Sequence, residues 1–134
     1  MKNDVINRED VSLLVRTFYV KVRKDHLLGP IFNPMIQDWE AHFEKLTDFW
    51  EGTLFFKKKY LGNPLEKHVE VDQFHHGTIE ANHFGVWLNI WFETIDELFE
   101  GEVAQRAKNR ARNMSTFIHL KIFEARNTAS KQSE

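Results

Sequence analysis

Apolar residues in this chain recur at three- and four-residue steps, and no segment alternates strongly with period two. That pattern restricts the fold more than any other feature, because only helices place such residues on one face. Four segments carry it. The first covers about residues 9–25, with Val11, Leu14, Val15, Phe18, Tyr19 and Val22 in line, and Asn7 three residues before Asp10 is a capping start. The second covers about residues 37–56, with Trp39, His42, Phe43, Leu46, Phe49, Trp50 and Thr53. The third covers about residues 78–99, with Phe84, Trp87, Leu88, Trp91, Ile95 and Leu98. The fourth covers about residues 102–126, with Val103, Ala107, Ala111, Met114, Ile118 and Ile122. Each stripe requires a partner surface, so the fold class is all-α. Glycine and proline at 29 and 30 end the first helix, and residues 127–134 read as a frayed polar tail.

A length of 134 residues fits one domain spanning the whole chain, and no repeat or linker divides it. Cysteine is absent, which removes disulfides, thiolate nucleophiles, zinc fingers and iron–sulfur clusters from consideration. The stretch from Gly101 onward carries seven Lys/Arg against three Asp/Glu, yet the whole chain has a net charge of −2. A dedicated nucleic-acid surface is therefore not expected, and the basic stretch reads as a solvated helix face. The polar N-terminus has no signal-like apolar core, and no stretch approaches the roughly 20 apolar residues of a membrane span. The expected location is cytoplasmic, with no nucleic-acid or membrane partner.

Between the second and third helices lie about twenty residues of weak periodicity, KKKYLGNPLEKHVEVDQFHHG, a length often tied to function. His68, His75 and His76 share that loop, and His42 and His83 flank it on helices. Zinc is poorly served, because no H-E-x-x-H is present. A di-iron bundle needs two E-x-x-H motifs, and only Glu80–His83 supplies one. No nucleophile elbow supports hydrolysis.

A haem site asks for less. It needs one neutral imidazole on iron and a slot lined by apolar groups. His68 follows a Gly-Asn-Pro turn that can aim its ring into a cleft. The chain has twelve Phe and four Trp, and the aromatic residues on the first three stripes suit such a slot, with Trp50 on the second stripe a candidate cofactor-facing residue. Tyr19, His42 and Trp87 each carry a hydrogen-bonding tip on an otherwise apolar stripe. Burying one such tip without a partner costs roughly 1–3 kcal/mol, so three on facing helices suggest a shared polar spot.

Four stretches bring a known family into view: FYVKVRKDHLLGPIFNP (18–34), DWEAHFEKLTDFWEG (38–52), YLGNPLEKH (60–68) and HFGVWLNIWFETIDELF (83–99). In order and spacing the chain resembles the group III truncated haemoglobins over about nine-tenths of its length. The resemblance implies a shortened globin-like fold, a 2-over-2 helical sandwich around haem b (iron protoporphyrin IX). It places the proximal iron ligand on His68 in the Pro-Leu-x-x-His run and the distal tyrosine on Tyr19. The distal-helix histidine falls on His42, with an apolar wall at Leu46. Phe32 takes the aromatic that wedges against the haem, Lys45 a position that reaches a haem propionate, and Trp87 the indole pointing at bound ligand. One departure stands out: the link VEVDQFHHGTIEANHF has no proline and is several residues longer than the family's, which leaves His75 and His76 as rivals of His68 for iron.

The implied function is reversible binding of O2, NO, CO or similar small ligands, with a role in oxygen, nitric oxide or redox chemistry. A nitric oxide dioxygenase or peroxidase-like enzyme is one alternative; it needs an external reductase, since no reductase domain is attached. A haem-free helical interaction module is the other.

Overall fold

The computed structural model describes residues 2–56 and 81–132, and every regular element among them is helical. The elements are α1 (Arg8–Lys24), α2 (Gly29–Phe32), α3 (Trp39–Phe55), α4 (Ala81–Leu98) and α5 (Glu102–Gln132).

α1 begins where the sequence indicates. The Asn7 side chain accepts from the Asp10 amide at 2.9 Å, satisfying one of the otherwise unpaired first-turn donors. All six residues of its stripe are buried. α1 ends at Asp25, whose carboxylate accepts from the amides of Leu27 and Leu28. Gly29 and Pro30 then do more than stop a helix, because they open the one-turn α2 with proline in its first turn. Gly29 is needed there for close approach: a Cβ would sit 2.7 Å from the Arg23 carbonyl oxygen.

α3 is capped by Asp38, which accepts from the Ala41 amide at 3.1 Å. It closes with Phe56 in the left-handed conformation (φ 61°). From α5, Arg106 donates to the Leu54 carbonyl at 2.8 Å, a cation at a helix C-terminus.

α5 has its cap from far away in sequence. Asp4 accepts from the amides of Val103 and Ala104, both at 2.8 Å. Burial pushes the Asp4 carboxyl up, but the amide donors of Val103, Ala104 and Val5 outweigh it and hold it below the usual carboxylate range. The preceding Gly101 (φ 144°) is required twice over, since a Cβ there would also fall 2.5 Å from the Asp4 side chain. α5 continues to Gln132, through residues that read as a frayed tail. No glycine or proline follows Gly101, so nothing in the sequence breaks the helix earlier.

α1 packs against α3 and α4, and α4 packs against α5, with lighter contact between α3 and α5. Ala104, Ala107 and Ala111 are almost completely buried along α5, and such small side chains let α4 come close. At that seam the Trp91 indole N–H donates to the Ala107 carbonyl at 3.2 Å. Arg8 clamps the start of α1 to α3 through Asp48 (2.7 Å), Glu51 (2.9 Å) and Glu44 (2.9 Å). These contacts fix the relation of α1 to α3, and two of the polar stripe residues, Tyr19 and His42, stand on those helices.

Candidate haem pocket

Tyr19 and His42 meet. Their ring centroids are 5.2 Å apart at an interplanar angle of 82°. Tyr19 is 7% exposed, and burial pushes its hydroxyl well above the ordinary tyrosine value. It is therefore a neutral O–H at any physiological pH, able to donate. Phe32 from α2 lies edge-on to the same tyrosine, with centroids 6.3 Å apart.

Trp87 reaches this group through Phe18. Phe18 is edge-on to Tyr19 at 5.0 Å and edge-on to Trp87 at 5.6 Å. One buried phenylalanine thus spaces the hydroxyl on α1 and the indole on α4. Trp91 stacks parallel to Trp87 at 6.2 Å and fixes that indole from behind.

The second stripe splits into two lines. Phe43, Thr47, Trp50, Glu51 and Leu54 are buried, while His42, Leu46, Phe49 and Thr53, about 110° round the helix, are only half-buried. Trp50 belongs to the buried line: it is 4% exposed and stacks on Trp91 at 4.6 Å. Its ring is committed to the joint between α3 and α4 rather than to the Tyr19 group. Leu46 stands on the half-buried line, and Lys45 is exposed beside it.

The interior also divides. The main core runs along α1, α3, α4 and α5. A second, small cluster of Ile31, Ile118 and Ile122 lies apart, and Phe32 and Met114 pack against both. Half-buried Phe32, Leu46, Phe49, Trp87, Leu88, Phe84 and Met114 pack against one cluster or the other. Large apolar groups left part-covered beside a dense core mark a surface suited to an apolar, flat group. The residues present fit a haem.

His68, His75 and His76 lie outside the described residues, as does Glu80. Among the described residues no three His, Asp or Glu side chains come together as a metal site, so zinc has no ligand set there. The two remaining remote histidines stay apart from the pocket's donors: His26 is exposed, and His119 stacks on Phe84 at 5.1 Å.

Two participants were not singled out from sequence. Phe18 looked like plain core, and nothing local marks it as the spacer between two donors. Trp39 is 5.7 Å from both Tyr19 and His42. Its i, i+3 spacing from His42 was the signal that a contact would form.

No family model matches the chain. It is 32% identical to the group 3 truncated hemoglobin of Campylobacter jejuni, over 92% of this chain and 97% of that protein. The crystal structure of the group III truncated hemoglobin from Campylobacter jejuni superposes with a TM-score of 0.80, covering 91% of this chain and 95% of that one. No helix of the described residues is long and apolar enough to cross a membrane.

Proposed function

Because the chain belongs to the group 3 truncated haemoglobins, we propose that it carries haem b with His68 as the iron ligand and binds O2 and related diatomic gases such as NO and CO in the cytoplasm. When bound, the haem would supply an iron centre able to take a small diatomic ligand. Everything else is the work of the side chains. The unbroken run of ring contacts from Trp87 through Phe18 and Tyr19 to His42 is the observation that carries this reading.

Tyr19 keeps its proton at physiological pH, as an ordinary tyrosine does, and burial raises its value further, so it presents a donor to a ligand on which negative charge builds. Trp87 presents an indole N–H that cannot act as an acceptor. His42, half-buried between Tyr19 and the outside, donates to the ligand or stands across its path. Phe32 and Leu46 supply the apolar wall, and Trp50 holds α3 against α4 behind it. Lys45, exposed on α3, is placed to meet a propionate at the water boundary. On the proximal side, the second ring nitrogen of His68 needs an acceptor to fix its tautomer and basicity.

Each hydrogen bond to the ligand adds about 1 kcal/mol, and up to about 3 where charge is well developed. Two such bonds slow ligand release, which favours oxygen or nitric oxide chemistry with an external electron donor over transport. Titration of the purified chain with hemin tests the cofactor directly. A sharp Soret band saturating at one haem per chain is expected; a band no different from free hemin excludes the reading.

A further inference from the structure

The pocket's outer boundary is built in an ordered sequence from solvent inward. Arg23, in the last turn of α1, is exposed, and its guanidinium lies 4.3 Å from the centroid of the Trp39 ring. Arg23 is itself tied to the chain after α2. Its Nε is 3.4 Å from the Asn33 side-chain oxygen, and the Asn33 amide group donates back to the Arg23 carbonyl at 3.2 Å. Trp39, half-buried at the first position of α3, stands edge-on to His42 with centroids 5.7 Å apart and planes at 90°. It is also 5.7 Å from Tyr19 and 5.8 Å from Phe43. The turn beneath it is rigid: Asp38 caps the Ala41 amide with its side chain and accepts from the His42 amide with its carbonyl.

His42 therefore closes a triangle of rings with Tyr19 on α1 and Trp39 one turn earlier on α3, its centroid 5.2 Å from the first and 5.7 Å from the second. An imidazole that leaves Tyr19 gives up the edge-on contact with the Trp39 indole as well. The indole in turn is loaded from outside by a cation, an attraction that favours the face-on position. We propose that Trp39, clamped by Arg23, is a positioning residue that keeps the His42 imidazole against Tyr19 and so sets how readily a small ligand reaches the pocket. The access half of this statement rests on the haem reading; the positioning half does not.

Two variants separate this from ordinary packing. Trp39→Leu keeps an apolar side chain but removes the indole, and Arg23→Gln removes only the cation from an exposed site. The readout is the rate at which diethyl pyrocarbonate modifies His42 in the full chain, followed by mass spectrometry, with His119 as internal reference. An aromatic contact of this kind corresponds to about a two- to tenfold change, and an exposed cation–π contact to about a two- to fivefold change. Trp39→Leu is expected to raise His42 modification about fivefold or more, and Arg23→Gln about twofold, with His119 unchanged. CO association, measured by flash photolysis on the haem-loaded chain, should rise in the same order. Unchanged His42 modification in both variants overturns the proposal; should Trp39→Leu fail to fold, Arg23→Gln decides alone. Faster modification with unaltered CO association overturns the role in access. If the chain takes up no haem, the haem reading fails, while His42 modification of the folded, unloaded chain still decides the positioning.

Discussion

Tyr19 and His42 face one another edge to face across the α1–α3 seam, with ring centroids 5.2 Å apart. The pairing is produced by the Arg8 clamp and the shared apolar stripe, which together fix the register of the two helices. It brings together two rings that each carry a polar group, in a region otherwise lined with aromatic and aliphatic groups.

The two neutral donors should control ligand release. Tyr19→Phe and Trp87→Phe remove a hydroxyl and an indole N–H while keeping an apolar ring. Each is expected to change the O2 dissociation rate about tenfold or more, a shift of about 1.4 kcal/mol. Stopped-flow measurement on the haem-loaded variants checks this, and unchanged rates in both would remove the proposed distal role.

Burial of Tyr19 has a consequence at alkaline pH. Its folded-state value lies above the ordinary value of about 10, so below that pH both states keep the proton and stability is undiminished. As pH rises past about 10, the unfolded chain loses that proton and the folded chain does not, so stability falls by up to about 1.4 kcal/mol per pH unit. Urea unfolding between pH 9 and 11 should show this extra loss in the native protein and not in Tyr19→Phe.

Asp4 acts at the opposite end of the scale. Its folded-state value is depressed, so its contribution is present above about pH 4 and is lost as pH falls through the lower folded value. Asp4→Ala is expected to cost about 1 kcal/mol at neutral pH through loss of the α5 cap. That difference from the native protein should shrink in acid unfolding curves taken below pH 4.

The clamp on Glu51 should be costly to break and cheap to replace. The Glu51 side chain is 5% exposed, and Arg8 lies within 2.9 Å of it. The Asp48 carboxylate, with Glu51 and Glu44, holds the Arg8 guanidinium above its usual range against the opposing effect of burial. Arg8→Met is expected to destabilise by about 1–3 kcal/mol, because it strips a charge partner from a nearly buried carboxylate. The double variant Arg8→Met with Glu51→Leu should recover most of that loss, as urea midpoints would show.

Much of this architecture was legible in the sequence. The α1 stripe is fully buried as its period implies, and Asn7 caps where its spacing from Asp10 indicates. The pairing of Tyr19 with His42 followed from two polar tips on facing stripes. Other features were hidden for physical reasons. Periodicity marks the apolar side of α3, but it does not say which line meets α1 and which stays part-covered, so Trp50 and Leu46 looked equivalent. The α5 cap joins residues about a hundred positions apart, and no local pattern encodes it. Gly29 and Pro30 read only as a break, because a one-turn helix such as α2 is too short to show a period. The polar residues after Arg126 carry no apolar period, yet helix propensity without a breaker takes α5 on to Gln132.

The claim on which the functional reading turns is that the His68 imidazole holds the haem iron. It is best tested by absorption and resonance Raman spectra of ferrous, ferric and CO-bound protein, recorded for the native chain and for His68→Ala. The native protein should show a histidine-ligated ferrous haem with an iron–imidazole stretching band. In His68→Ala that band should disappear and return when free imidazole is added. An unchanged iron–imidazole band in His68→Ala would contradict the account and direct attention to His75 or His76 instead.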